Sequence, residues 1–302
     1  MVYRLTLFQH SYLVERFYGK TSTRQIALDF RNNFCLPISA PTVLRKTVEM
    51  TKTAIEVMSY LIKTDPAFLP RVGDIWEIDE TYFNLGKKET TLIVVKDLKT
   101  CYFLAANLER ASNIETTTKA LLYARSLARK CPIELRGDGN SAYAKACRFA
   151  FGRKTKLTIN KKIGKMGQDQ SIEGTFGASI KSWIKSKRSL HSPLISPILV
   201  AGYILSYNFA RPCEVLGGIT PAEAAMAWNP LDGKRGWPGM LQLAKNYGNV
   251  RSVSRKQTIG SRRIFGQNTL DEIQLITNNG ITKEGSSTSI NNKQTCLSSF
   301  SN

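Results

Sequence analysis

Residues 75–108 constrain the chain most. Three runs, IWEIDETYF (75–83), TLIVVKDL (91–98) and CYFLAANL (101–108), are rich in β-branched and aromatic side chains. Gly86-Lys87-Lys88 and Lys99-Thr100 separate them. That spacing predicts an antiparallel three-stranded meander. The period then changes. NIETTTKALLYARSLARK (113–130) reads as a helix, PIELRGD (132–138) as a strand and SAYAKACRFAF (141–151) as a short helix. KTKLTIN (154–160) reads as a fifth strand and DQSIEGTFGASIKSWIKSKR (169–188) as a long helix. Three strands followed by helix–strand alternation predict an α/β class, a mixed five-stranded sheet with helices on both faces.

The segment before the sheet has helical spacing only. LTLFQHSYLVERFYG ends its periodicity at Gly19. Thr21 or Ser22 can cap a second helix carrying Ile26, Ala27 and Phe30 on one face. CLPIS is a turn, Ser39 can cap a third helix, and Pro41 falls in its first turn, where a missing N–H costs nothing. Helix, short turn and capped helix outline a helix-turn-helix whose second helix presents Thr42, Arg45, Lys46 and Glu49. An ordinary helical hairpin with a solvated face has the same local pattern. KTDPAFLPRVGD (63–74) reads as a linker.

The charge balance bears on partners. The 302 residues carry 43 Lys and Arg against 23 Asp and Glu, a formal net charge of +20. Such a surplus points to a polyanion, and nucleic acid rewards each neutralised phosphate with counterion release. Six scattered cysteines, no C-x-x-C and two histidines argue against a structural zinc site or a disulfide framework. The uncharged stretch 189–210 is interrupted by Pro193 and Pro197, and reads as a buried core helix rather than a membrane span. TPAEA (220–224) has the form of a capping box. The remainder, 229–302, is basic and reads as mostly irregular, its Ser/Asn/Thr-rich end as disordered.

DIWEIDETYF holds four carboxylates, Asp74, Glu77, Asp79 and Glu80. Phosphodiester chemistry with two divalent cations needs carboxylates from separate segments converging on one point. Asp79 lies inside the first strand. Asp138 closes the fourth and precedes Gly139, which permits close approach. The long helix offers Asp169 and Glu173, and Glu173 borders its apolar stripe of Ile172, Phe176, Ile180 and Ile184. Strand periodicity puts Glu80 on the face opposite Asp79, which leaves it as setting, with Asp74 a loop residue and Glu77 a solvated one. The run RKTKLTINKKIGK (153–165) reads either as a solvated loop or as a phosphate-contacting surface beside the acids.

Asp79 in WEIDETY, Asp138 in LRGDGNSAY and Glu173 in QSIEGTFGASIK resemble the catalytic triad of DDE transposases of prokaryotic insertion sequences. The 34 residues between Asp138 and Glu173 are typical of that group, and YNFARPCEVLGGITPAEA resembles the segment that closes its catalytic core. The likeness spans roughly residues 20–228 of the chain. Many members carry a Lys or Arg seven positions after the Glu, where this chain has Ile180 followed by Lys181. Retroviral-type integrases share the core but usually add an N-terminal His/Cys zinc module, which this chain cannot build.

The resemblance implies a helix-turn-helix DNA-binding domain at 1–65, a linker at 66–74, a ribonuclease-H-like DDE catalytic domain at 75–228 and a basic extension at 229–302. It implies that Asp79, Asp138 and Glu173 hold two Mg²⁺ ions, with Mn²⁺ as a substitute. The expected activity is metal-dependent DNA strand cleavage and strand transfer at terminal inverted repeats. DNA contacts are expected from Arg24, Thr42, Arg45, Lys46, Arg153, Lys154, Lys161, Lys162, Lys181 and Lys185. The expected partners are double-stranded DNA, both element ends and target, and further copies of the chain in a homodimer or larger assembly. No membrane partner is expected, and the expected location is the prokaryotic cytoplasm, at the nucleoid. Two other readings stand beside it: a transposase-derived DNA-binding protein without catalysis, and a nuclease of the same fold acting on RNA–DNA hybrids.

Overall fold

The computed structural model describes residues 5–85, 88–159, 178–187, 192, 194–227 and 235–257, excluding the side chains of 85, 88, 178, 179 and 248–257. The N-terminal region is helical: α1 (Leu7–Tyr18), α2 (Thr23–Phe34) and α3 (Ala40–Thr64). Its boundaries follow local chemistry. Thr6 and Gln9 form a capping box at the start of α1, and Gly19 follows its end. Ser22 accepts from the Gln25 N–H at the start of α2, and Ser39 accepts from the Thr42 N–H at 3.3 Å at the start of α3. Each serine satisfies an N–H that the first turn would otherwise leave unpaired. Ile26 and Phe30 are fully buried, as the apolar face of α2 requires.

The sheet is built from β1 (Ile75–Leu85), β2 (Lys88–Asp97) and β3 (Phe103–Glu109), then β4 (Glu134–Gly137) and β5 (Lys156–Ile159). α4 (Ile114–Ala128) connects β3 to β4, and α5 (Ser141–Phe151) connects β4 to β5. The order is β3-β2-β1-β4-β5. The first three strands pair antiparallel, β4 runs parallel to β1, and β5 parallel to β4. This is the mixed, helix-flanked five-stranded sheet that the element order predicts. α5 closes over the sheet through Tyr143, whose ring packs at Gly137: a Cβ there would lie 2.6 Å from that ring and 3.2 Å from Ile78 Cγ2.

Four further helices complete the described chain: α6 (Ala178–Ser186), α7 (Ser196–Phe209), α8 (Pro221–Ala224) and α9 (Gly236–Gln257). Ile198–Leu205 of α7 is buried throughout, as expected of a core helix. Thr220 and Glu223 form the capping box of α8. The expectation of a mostly irregular chain after 229 fails at α9. Trp237, Met240, Leu241 and Ala244 give that helix a buried stripe at helical spacing. Pro238 and Gly239 sit in its first turn, where they read as a break but cost the helix little. No described helix is long and apolar enough to cross a membrane.

The N-terminal helices and the helices around the sheet share one core. Tyr18 is its junction. Its ring stacks on Trp237 at 5.3 Å, lies 5.7 Å from Trp183 of α6, and its hydroxyl is 2.9 Å from Thr51 Oγ1 of α3. Trp183 Nε1 donates to the Phe17 carbonyl at 3.3 Å. Lys187, just past α6, donates to the Thr21 carbonyl and lies 4.3 Å from the centre of the Phe17 ring. Burial lowers that ammonium to about 7. α7 reaches Tyr18 through Gly202, where a Cβ would overlap the Tyr18 hydroxyl and come 2.6 Å from Thr51 Cγ2. Gly202→Ala therefore lowers unfolding stability by about 2 kcal/mol, the typical cost of overpacking, read as a reduced urea midpoint with an unchanged slope.

Candidate active site

Asp79 sits in the middle of β1, opposite Val94 of β2, and is only 7% exposed. Trp76 and Ile78, which precede it, are buried, so the apolar residues of DIWEIDETYF set the strand inside the sheet. β4 pairs with β1 through Ile75↔Glu134, Trp76↔Leu135 and Glu77↔Arg136. Asp79 and Asp138 each lie two positions beyond the last of these pairs, Glu77↔Arg136. Asp138 follows β4 directly and is exposed. Gly139 has φ +100°, a left-handed backbone that favours glycine. Asn140 then caps α5, accepting from the Ala142 N–H at 2.9 Å, and its own N–H donates to Asp138 Oδ1 at 3.1 Å.

Glu80 is on the opposite face, as its strand position requires, yet it is more than setting. Its carboxylate accepts from Asn140 Nδ2 at 2.8 and 3.1 Å, from the Tyr82 hydroxyl at 2.8 Å and from the Ser112 hydroxyl. The strand period located Glu80 correctly and places Tyr82 on the same face, but it carried no signal for Ser112 and Asn140, which come from 32 and 60 residues away. Burial, followed by the Glu80 hydrogen bond and the charges of Glu80, Asp138 and Asp79, pushes the Tyr82 phenol up to about 12. Burial and the same three charges also raise Tyr143. Two phenols thus feel one concentration of negative charge.

The other expected site residues divide. Glu173, Lys161 and Lys162 lie outside the described residues. Arg153 and Lys154 are exposed between α5 and β5, and Lys181 and Lys185 are exposed on α6. Ile180 is fully buried, so the one-residue offset to Lys181 leaves the cation on the solvent side of the helix. Arg24 and Arg45 are exposed. Thr42 Oγ1 is 3.0 Å from Ser39 Oγ in the cap of α3, and Lys46 donates to Glu49 at 2.9 Å. Asp74, read as a loop residue, pairs with Lys130 at 2.8 Å, which holds its carboxyl below the usual range.

Among the described residues no three His, Cys, Asp or Glu side chains converge as a metal cluster. Asp79 and Asp138 nevertheless suit a hard divalent cation. Both offer oxygen alone, and one of them is shielded from water.

The face that carries Glu80 is polar further along. Glu80, Ile93 and Asn107 form one row across β1, β2 and β3, and Tyr82, Thr91 and Glu109 the next. Asn107, Glu109 and Thr117 are buried. The Asn107 amide, Thr117 Oγ1 and Glu109 Oε1 reach no hydrogen-bond partner among the described residues. Burial lifts the Glu109 carboxyl to about 7, with Lys119 opposing. A raised carboxyl contributes its full stability below the unfolded value near 4.3 and loses it as pH rises through 7. Glu109→Gln therefore matches the parent protein at pH 4 and exceeds it at pH 8 by about 1–2 kcal/mol, allowing for solvent screening. Urea melts across that range measure the difference.

No family model and no curated protein matches the chain. Solved structures do. The HTLV-2 integrase catalytic core domain in complex with magnesium, in its trimeric form, is 19% identical with a TM-score of 0.39, covering 52% of this chain and 97% of that one. Its dimeric form gives 18% and 0.38, covering 52% and 96%. The simian T-cell lymphotropic virus intasome in complex with the PP2A regulatory subunit B56 gamma gives 16% and 0.40, covering 56% and 58%.

Proposed function

We propose that the protein is a DNA transposase that cuts and rejoins DNA at the ends of an insertion sequence. The observation that supports this reading is the parallel β1–β4 register, in which Asp79 and Asp138 each follow the Glu77↔Arg136 pair by two positions. Two hard-oxygen ligands on adjacent strands, on a chain of net charge +20, suit a metal-dependent reaction on a polyanion. Asp79, Asp138 and Glu173 would hold Mg²⁺, with Mn²⁺ as a substitute. When bound, such ions supply Lewis-acid chemistry for in-line displacement at phosphorus, first by water and then by a 3′-hydroxyl. The chain's own residues contribute the geometry: β1 and β4 fix two ligands, and the buried side of β1 excludes water from one of them.

The helix-turn-helix of α2 and α3 binds the terminal inverted repeats in this reading. Arg24 and Arg45 are exposed on these helices, whereas Thr42 lies against Ser39 and Lys46 against Glu49. Arg153, Lys154, Lys161, Lys162, Lys181 and Lys185 would hold phosphates near the carboxylates without reading bases. Two ends must be processed together, so the working form is a homodimer or larger assembly at the bacterial nucleoid.

The test is strand transfer of labelled end DNA in Mg²⁺. Asp79→Asn, Asp138→Asn or Glu173→Gln each lowers the rate by about a thousandfold or more, because a catalytic metal supplies several kcal/mol and each 1.36 kcal/mol is tenfold. Duplex binding without cleavage by the unaltered protein removes the catalytic reading and leaves a DNA-binding protein. Separately, Arg24→Ala and Arg45→Ala each weaken duplex binding and reduce the slope of log K against log salt by about one, as loss of a phosphate contact demands. Unchanged slopes assign the DNA surface elsewhere.

A further inference from the structure

We propose that Glu80 is a positioning residue for Asp138, clamping the 138–140 turn from the far face of the sheet so that the Asp138 carboxylate stays beside Asp79. The proposal rests on the reading of Asp79 and Asp138 as metal ligands.

The turn needs such a clamp. Asp138 is exposed and Gly139 has no side chain and a left-handed backbone, so neither anchors the segment. Asn140 anchors it in three directions. Its Oδ1 accepts from Ala142 N–H, its backbone N–H donates to Asp138 Oδ1, and its Nδ2 reaches both oxygens of Glu80. Glu80 is thus one residue from Asp79 in the chain and one hydrogen-bonded residue from Asp138 in space. The two proposed ligands are linked twice, by the β1–β4 ladder and by Glu80–Asn140.

The hydrogen bonds also separate Glu80 from the ligands. An ionised carboxylate offers about four lone-pair sites. Glu80 receives Asn140 Nδ2 on both oxygens, the Tyr82 hydroxyl and the Ser112 hydroxyl. Its acceptor capacity is filled by protein donors, and it faces away from Asp79. Outer-shell partners of this kind typically change metal affinity by 10–100-fold.

The experiment measures Mn²⁺ affinity of the full chain, without DNA, by electron paramagnetic resonance, with folding checked by circular dichroism. Glu80→Gln keeps the shape but turns an amide donor toward Asn140 Nδ2. Asn140→Ala removes the link from the other side and carries the test alone if Glu80→Gln does not fold. Each weakens Mn²⁺ binding about tenfold or more. The double variant is no weaker than the worse single one, because both break the same link. A general loss of stability would give additive effects instead. Folded Glu80→Gln and Asn140→Ala proteins that bind Mn²⁺ like the parent overturn the clamp, while Asp79→Asn and Asp138→Asn still losing binding leave the metal reading intact. Binding that ignores both aspartate substitutions overturns the two together.

Discussion

The candidate site depends on the parallel pairing of β1 with β4. Parallel strands cannot be joined by a tight turn, so this contact requires a crossover. Here the crossover consists of β2, β3 and α4, and it returns the chain 59 positions later in a register that admits no slip. A one-residue shift would turn Asp138 to the other face of the sheet and break the alignment with Asp79. The register is held by packing rather than by the acids. Trp76, Ile78 and Leu135 are buried at the pairing, and Tyr143 closes on Gly137. In the proposed reading, this apolar frame holds the ligand-bearing segments in place before a cation arrives.

The two faces of β1 divide the work. Asp79 shares its face with Val94 and Ala106, its neighbours in the row across β2 and β3. Glu80, one residue on, faces a layer of hydroxyls and amides that fill its lone pairs. Adjacent acids therefore differ in role because strand geometry sends them to different surroundings, not because their chemistry differs. The same polar layer extends to Asn107, Glu109 and Thr117, where burial outruns the supply of partners. Among the described residues, the Glu80 carboxylate is well supplied with donors, whereas the Asn107 amide, Thr117 Oγ1 and Glu109 Oε1 meet none.

The sequence made local features legible. Ser22 and Ser39 cap their helices within three residues, and the Thr220–Glu223 box does the same. The order of strands and helices gave the sheet, because alternation of period is written along the chain. Asp79 and Asp138 could be paired once that order placed strands one and four side by side. Glu80 could not be read correctly. Its partners Ser112 and Asn140 meet it only in three dimensions, and a face assignment says nothing about what lies on that face. α9 was hidden for a different reason: Pro238 and Gly239 stand at its entrance, and a breaker in a first turn looks like a breaker in a loop.

The N-terminal helices bear on the site through packing rather than proximity. Tyr18 joins α1 to α3, α6 and α9 by two stacked rings and a buried hydroxyl pair. Trp183 and Lys187 fasten the far end of α6 to the Phe17 and Thr21 carbonyls. Glu173 stands only five positions before Ala178, where α6 begins. α6 is therefore tethered to α1, whereas Asp79 and Asp138 belong to the sheet and the turn after it. A tether of rigid aromatic rings transmits displacement better than a flexible linker, because packed cores shift between discrete arrangements rather than deforming continuously. In the proposed reading, DNA held by α2 and α3 pulls on the same core that fixes α6. End recognition and the seating of α6 then share one mechanical element, and the core around Tyr18 is that element.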